Sequence, residues 1–302
     1  MFKTAALRKI EILDAKKDAW EIVRLSLFYE FPWDFNRALE LSLYKTYAVP
    51  SISNTLFRSG EFTNNAQKRY DDTDILLSEI IENGLEDKKG KGWRALQQLN
   101  WIHSNFKISN DDYLYVLGTI LFGTSDWINK YGYRKLTSNE ELAGFYVWKE
   151  IGEQMHIKNI PDSILAFRFF FDAYEAKNFV YSEANVKISN ITENLMLSWY
   201  LPKYMYAPAR PFLHAVMQPN LLKAFKYKEP GKPLRNIVEK VLRTRSKINN
   251  LFPQKNPYIR TKDYPHKAYP DGYTIETLGP DKLMSSSSCP YHKIIELAKK
   301  AN

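Results

Sequence analysis

Apolar residues recur at helical spacing along most of this chain, and no segment shows the strict alternation typical of a half-buried strand. Residues 18–30 are one example, and residues 93–106 are another. The pattern predicts an all-α protein. Helices are predicted over residues 18–30, 32–47, from 51 onward, 66–82, 93–106, 110–130, 139–155, 161–178, 189–200, 210–217, 231–249 and 291–300.

Residues that favour helix ends support several of these boundaries. Asn64 and Asn65 are suited to capping the helix over 66–82, and Gly84 is suited to ending it. Ser109 and Ser138 are each followed three residues later by an acidic residue, which predicts capping-box starts for the helices over 110–130 and 139–155.

The domain organisation is predicted to be simple. The chain has 302 residues, enough to bury a sizeable core, and shows neither an internal repeat nor a break in composition. We therefore expect a single globular multi-helix domain over 1–302, with its core at about 18–250. The segment of about 252–302 is rich in Pro and Tyr, which predicts an irregular tail.

Cysteine content and hydropathy are used to predict the cellular compartment of the chain. Cys289 is the only cysteine, so an internal disulfide is excluded and a cysteine-based metal site is not expected. A thiolate ligand at Cys289 is less favoured than an exposed or loosely packed thiol. The first 20 residues lack an apolar signal region, and no run reaches the roughly 18 apolar residues of a spanning helix. The resulting expectation is a cytoplasmic location, with peripheral contact to a membrane left open.

The net charge of +9 is concentrated in one segment. Residues 221–250 hold nine basic side chains against Glu229 and Glu239. Such a segment can bind nucleic acid or an anionic membrane, although a solvated helix face is the more common explanation. Because no nucleic-acid motif accompanies it, nucleic acid is the less expected partner.

Local catalytic motifs are lacking. The sequence contains no Gly-rich phosphate loop, HExxH, GxSxG or EF-hand loop. The five histidines are far apart, and none lies three or four residues from another. Chemistry in this chain therefore has to come from residues on separate helices.

Two helices carry polar residues where apolar ones are expected. Arg69 and Thr73 lie four residues apart on the apolar stripe of the 66–82 helix, where a structural ion pair is one explanation and a ligand is another. His103 lies on the apolar face of the 93–106 helix. On its own it is more often a buried core histidine than a metal ligand.

Short stretches spread over nearly the whole chain stand in a characteristic order. They are EFPW (30–33), TYAVP (46–50), RYDDT (69–73), GWRALQQLNWIHSNF (92–106), DDYLYVL (111–117), WKEIG (148–152) and DGYTIETLGP (271–280). Their order and spacing resemble the mpaB/latex-clearing-protein family of rubber oxygenases.

The resemblance implies an all-α oxidoreductase that binds haem b through its iron, with His103 as the iron ligand. Arg69 and Thr73 would lie on the opposite, distal side, where dioxygen is used on an apolar, isoprenoid- or lipid-like substrate. Asn100, one turn before His103, is a candidate hydrogen-bond partner for the imidazole. Asp72 stands where rubber oxygenases can carry a lysine, which weighs against rubber cleavage and suggests an acid/base or a partner of Arg69.

Other functions stay open at this stage. A peroxide-using enzyme would employ Asp72, and a haem carrier or sensor would need the ligand alone. A non-catalytic helical protein would use residues 221–250 to bind anionic lipid or nucleic acid. The substrate and the oligomeric state are left open by the sequence.

Overall fold

The computed structural model describes residues 4–252, 256–286 and 289–290, and within these ranges it contains helices and no strand. The all-α prediction is confirmed. The α-helices are α1 (Ala5–Ile12), α2 (Ala19–Leu25), α3 (Pro32–Tyr47), α4 (Pro50–Ser59), α5 (Glu61–Asn64), α6 (Ala66–Asn83), α7 (Lys91–Ser104), α8 (Asn110–Tyr131), α9 (Ser138–Gln154), α10 (Ile164–Asn178), α11 (Glu183–Ser198), α12 (Tyr206–His214), α13 (Pro219–Ala224), α14 (Lys232–Asn249), α15 (Arg260–Asp263) and α16 (Asp281–Met284).

Shorter helical turns complete the list: a π-helix at Ser26–Glu30 and 3-10 turns at Lys203–Met205 and Ile275–Thr277. Beyond residue 252, the described chain holds only four-residue helices and one 3-10 turn, as expected for an irregular tail. The helix predicted over 291–300 lies outside the described residues.

The chain forms two compact units, each made of two separate stretches. The first unit comprises the residues up to Arg58 together with Ser109–Tyr258. The second comprises Ser59–Ile108 together with the residues from Ile259 onward. The single domain predicted over 1–302 stays a prediction.

The first unit is organised around the pair α3 and α8. Ser42 on α3 donates a hydrogen bond to the Thr119 carbonyl on α8 (Oγ–O 3.1 Å), and Trp127 donates its indole N–H to Asp34 (3.1 Å). Phe31 and Trp127 belong to one buried apolar cluster of this unit. Buried polar groups therefore meet partners within an apolar helix pair.

Several helix starts differ from the prediction because another nearby residue caps the helix. Ser109 does cap α8, accepting a hydrogen bond from the Asp112 amide. Helix α9, however, is capped by Thr137, whose capping box with Glu140 is one residue earlier than the predicted Ser138. The predicted cap was wrong because both sequence pairs fit the capping-box pattern.

Other bounds also need correction. Ser163 and Ser182 cap α10 and α11, so α10 begins later than the predicted 161 and α11 begins earlier than the predicted 189. Asn65 occupies the cap position of α6, but its side chain makes no capping hydrogen bond. Instead it donates to Asp281 (3.2 Å). Helix α1 was not predicted.

In the second unit, α6 and α7 pack against each other, and a tight connection joins them. Gly84 ends α6 with φ +71°, a conformation that favours glycine. Gly92, near the start of α7, lies so close to the Gly84 carbonyl that a Cβ at this position would overlap it. These two glycines fix α7 beside α6 and so bring their side chains together.

Candidate functional site

Helix α6 presents Arg69 and Thr73 as a bonded pair one turn apart. The Arg69 guanidinium donates to the Thr73 hydroxyl oxygen, and the Thr73 hydroxyl donates to the Arg69 carbonyl (3.1 Å). The guanidinium also lies over the Phe62 ring, 5.6 Å from its centroid. The two residues that the sequence placed on one face therefore form a fixed polar pair.

His103 comes from the last turn of α7, in the same unit. The residue as a whole is half-buried, whereas its Nδ1 atom is buried. Burial, together with the nearby positive charge of Arg69, lowers the pKa of His103 from 6.5 to about 4. The structure thus brings Arg69 and His103 close enough to interact electrostatically, and it keeps the imidazole neutral at pH 7.

A neutral imidazole beside a guanidinium suits ligation by its nitrogen lone pair, since protonation would block metal binding. Asn100 is half-buried on α7, three residues before His103 and therefore on a neighbouring part of the same face. Its assignment as a cofactor-binding residue stays a prediction.

Asp72 makes contacts that differ from the predicted pairing with Arg69. Its carboxylate accepts hydrogen bonds from Lys68 (2.9 Å) and from the Tyr269 hydroxyl. Lys68 in turn donates to the Gly279 carbonyl (2.5 Å). Burial raises the pKa of Asp72, while the charge of Lys68 opposes that shift. In this arrangement, Asp72 connects α6 to the segment after Ile259.

Four further acidic residues of α6 hold the same segment, and the sequence analysis missed them. Asp74 binds Arg260 (Oδ1–Nε 2.6 Å) and lies 3.0 Å from the His266 ring nitrogen. The remaining contacts are Ala268 N to Asp71 (2.7 Å), Tyr273 OH to Glu79 (2.7 Å) and Thr261 N to Glu82 (3.0 Å). We call Asp71, Asp72, Asp74, Glu79 and Glu82 the acidic face of α6. Their recurrence on one side of a helix was the signal that could have revealed it.

Cys289 does not fit the expectation of an exposed or loosely packed thiol. Its side chain is buried, with Met284 and Trp101 in the same small apolar cluster. The expectation was wrong because the Ser-rich sequence around it gives no sign of the apolar partners supplied by α7 and α16. The thiol packs as a small apolar side chain.

A cleft of roughly 680 Å³ lies in the first unit. Its described lining includes the charged residues Glu30, Asp34 and Arg245, together with Trp33. Glu30 accepts a hydrogen bond from Arg134 (2.8 Å), and the Arg245 guanidinium lies 3.4 Å from the Trp33 ring centroid. Apolar residues such as Leu25, Tyr29 and Phe252 share this lining with the charged ones, and it includes none of Arg69, Thr73 and His103.

The basic segment 221–250 contains most of α13 and all of α14. Some of its cations are used within the first unit: Arg235 donates to the Met217 carbonyl (2.9 Å), and Arg243 pairs with Glu239 (2.9 Å). Others, including Lys240 and Lys247, are exposed. The segment is therefore partly structural and partly an open basic surface.

Three fungal proteins that are similar to this chain are named as ER-bound oxygenases. The "ER-bound oxygenase mpaB" of Penicillium roqueforti (strain FM164) is 27% identical over 231 residues, covering 70% of this chain and 76% of the relative. The "ER-bound oxygenase mpaB'" of Penicillium brevicompactum is 22% identical over 347 aligned positions, covering 87% of this chain and 81% of the relative. These similarities over much of the chain support a relationship to the mpaB family.

A second Penicillium brevicompactum protein, "ER-bound oxygenase mpaB", is 28% identical over 147 residues, 46% of this chain and 37% of its own length. No protein-family profile matches the chain. The mpaB relatives confirm the family prediction and support an oxygenase, and hence an oxidoreductase that uses dioxygen on a small molecule.

The expectation of a cytoplasmic location is wrong, because the relatives are named as bound to the endoplasmic reticulum. That expectation relied on the lack of a signal region and of a long apolar run, and neither observation reports where a protein is bound. Across the described ranges, no helix combines the length and apolar character needed to cross a bilayer.

Proposed function

We propose that this mpaB-family protein is a haem-b-dependent oxygenase that acts with dioxygen on an apolar, isoprenoid- or lipid-like substrate, and that His103 ligates the haem iron. The observation that carries the proposal is the neutral, partly buried imidazole of His103 beside the Arg69 guanidinium. The oxygenase names of the relatives support the reaction class.

The residues present suit an iron porphyrin. In the described part of the chain, no three His, Cys, Asp or Glu side chains are grouped so as to hold a metal ion. A metal at His103 would therefore need its other ligands from outside these side chains, and a porphyrin provides four nitrogens of its own. When bound, haem supplies the redox chemistry that activates dioxygen.

The chain's own residues would orient and polarise the reactants. The Arg69 guanidinium is a fixed cation because Thr73 and the Phe62 ring hold it in place. A cation held in this way stabilises negative charge that develops near it, and the Thr73 hydroxyl adds a hydrogen-bonding group at the same position. The neutral His103 imidazole presents a nitrogen donor without needing to lose a proton at pH 7.

Each carboxylate oxygen of Asp72 accepts a hydrogen bond from a neighbouring side chain. Lys68 and Tyr269 both bind it, so an acid/base role would require these bonds to be broken. This arrangement favours an oxygenase over a peroxide-using enzyme that relies on Asp72. We also infer, from the names of the relatives, that the chain associates with the endoplasmic reticulum; fractionation of cells that express the tagged chain tests this inference.

The test is an absorption spectrum of the purified full chain after reconstitution with haem. We expect a Soret band typical of histidine ligation in the wild type, and its loss or shift in His103→Ala. His156→Asn is the matched control: His156 is exposed with φ +61°, a conformation that asparagine tolerates, so its spectrum should equal that of the wild type.

Oxygen uptake with apolar alkenes then separates an oxygenase from a haem carrier or sensor. A haem-loaded protein that consumes oxygen only with such a substrate supports the oxygenase. A wild type that takes up no haem after reconstitution would refute the cofactor assignment and leave only the family relationship.

A further inference from the structure

Helix α14 uses one face to pack onto the first unit. Leu242 contacts the apolar cluster that contains Phe31 and Trp127. Ser246 is buried, and the Arg245 guanidinium lies over the Trp33 ring. The orientation of the helix is therefore fixed, which determines the residues on its outer face.

The outer face is apolar and exposed. Ile237, Val241 and Ile248 lie at positions i, i+4 and i+11 with exposed fractions of 57%, 60% and 52%, and Leu251 and Phe252 follow with 72% and 78%. We call these five residues the α14 stripe. Single exposed apolar residues are common on proteins, whereas an aligned row of large ones marks a binding surface.

Basic residues border the α14 stripe on one side. At 100° per residue, Lys240 and Lys247 lie on the same side of the row formed by Ile237, Val241 and Ile248, about 90° around the helix from its centre. Both lysines are exposed, and neither forms an ion pair with any of the described residues. Over its whole length, α14 has six basic residues and a single acidic one, Glu239, which pairs with Arg243.

The neighbouring helix extends the apolar character of this region. Helix α12 packs against α14. Phe212 of α12 is 53% exposed, and Tyr204, just before α12, is 80% exposed. Aromatic side chains of this kind are enriched where proteins meet the interface between lipid headgroups and water.

We propose that α14 binds an anionic lipid surface, with the α14 stripe inserted at the boundary of headgroups and acyl chains and with Lys240 and Lys247 at the lipid phosphates. An amphipathic helix with a basic border and an exposed apolar face lies in the membrane interface in this way. A nucleic acid would contact the lysines and leave the stripe in water. A second copy of the chain would bring two rows of lysines together. The proposal does not depend on haem, so His103→Ala binds vesicles as the wild type does.

The apolar part is tested by co-sedimenting the full chain with vesicles of phosphatidylcholine and phosphatidylserine. Replacing Ile237, Val241 and Ile248 by serine should weaken binding by about tenfold or more, since three apolar side chains no longer insert. The matched control is Leu165→Ser with Phe169→Ser, two residues of α10 that are 80% and 78% exposed. Equal loss of binding in this control would contradict the assignment to α14.

The basic part is tested with the double variant Lys240→Glu and Lys247→Glu. The control is Lys107→Glu with Lys177→Glu, which changes two exposed lysines outside α14. The two double variants have the same net charge. We expect about tenfold weaker binding for the α14 pair only, and weak binding of the wild type to phosphatidylcholine alone. The same loss in both pairs would indicate attraction by net charge and would overturn the proposed role of α14.

Insertion is observed directly with a polarity-sensitive fluorophore on Val241→Cys, compared with Leu165→Cys. The native Cys289 is buried, so labelling is directed to the introduced cysteine. The expected result is a blue shift at position 241 on vesicles and none at position 165. The absence of a shift at position 241 would overturn the proposal. So would light scattering that shows a dimer dependent on the α14 stripe, if the chain did not bind vesicles.

Discussion

The two faces of helix α6 differ in what their polar side chains contact. On the acidic face, Asp74 binds Arg260 and His266, and Glu79 binds Tyr273, all from the segment after Ile259. On the other side of the helix, Arg69 and Thr73 bond to each other and lie near His103 of α7. At 100° per residue the centres of the two groups are nearly opposite.

This difference separates structural polar groups from candidate reactive ones. Carboxylates that are buried and hydrogen-bonded to a distant segment hold the fold together, and their removal is expected to affect stability first. A guanidinium and a hydroxyl that are held beside a neutral histidine are organised for a ligand. Mutations on the two faces should therefore change different measured quantities.

Asp74→Ala should have the largest effect. It leaves Arg260 buried without its carboxylate, and breaking a buried ion pair in this way costs about 3–5 kcal/mol of unfolding free energy. Urea unfolding measures the loss. Asp172→Ala, at an exposed carboxylate with only a 3.9 Å contact to Arg168, serves as control and should change little. A small loss of unfolding free energy in Asp74→Ala would contradict a structural role for the acidic face.

Arg69→Ala should reduce activity far more than stability, which is the reverse of what we expect for Asp74→Ala. We expect the rate of oxygen uptake by the haem-loaded protein to fall about a hundredfold, with a stability change of less than about 1 kcal/mol. The two quantities are measured on the same preparation by oxygen electrode and by urea unfolding. A stability loss equal to that of Asp74→Ala, with unchanged uptake per folded molecule, would make both faces structural.

Gly92→Ala tests whether the approach of α7 to α6 positions His103. The added methyl group would overlap the Gly84 carbonyl, which should cost about 1–3 kcal/mol and shift α7. Haem affinity should fall along with the melting temperature. The control is Gly144→Ala, within helix α9. Its new methyl group would contact only Leu121 of α8, at 3.4 Å, so stability should be kept or increased because alanine favours a helix more than glycine does. Normal stability of Gly92→Ala would contradict the tight connection.

Asp72→Asn should give the smallest effect, visible as a pH dependence. Burial raises the pKa of Asp72 above 3.8, so its contribution to stability is complete at pH below 3.8 and is lost as pH rises through the folded-state pKa. The unfolding free energy of the wild type relative to Asp72→Asn should therefore fall as pH increases from below 3.8.

Asp14→Asn provides a control of opposite sign for this titration. Backbone hydrogen bonds from Lys17 and Lys16 lower the pKa of Asp14. Its stabilising contribution is present above the ordinary pKa and is lost as pH falls. If the pH profiles of the two variants were parallel, burial would not be the cause of the shift in the pKa of Asp72.

The sequence allowed prediction of those features that depend on nearby residues. The periodicity over 66–82 and the Ser109 cap are local, and α6 and α8 appear close to the predicted bounds. The pair Arg69 and Thr73 was also predictable, because four residues separate neighbours on a helix face. Its proximity to His103 came from the family resemblance, and the structure places the two residues near each other.

The acidic face could not be predicted in the same way, because its partners are distant in sequence. Asp74 and Arg260 are 186 residues apart, and nothing local indicates that they meet. Asp72 was expected to act as an acid/base or to pair with Arg69, three residues before it, whereas its hydrogen bonds go to Lys68 and Tyr269. The short helix α1, with eight residues, likewise gave too little periodic pattern to be predicted.

The most direct test of His103 as the haem ligand is chemical rescue of His103→Gly by free imidazole, followed by absorption spectroscopy of the haem-reconstituted full chain. We expect the variant alone to lack the histidine-ligated Soret band of the wild type and added imidazole to restore it, because the small ligand replaces the missing side chain. A His103→Gly spectrum that equals the wild-type spectrum before imidazole is added, or a wild type that binds no haem, would contradict His103 as the iron ligand.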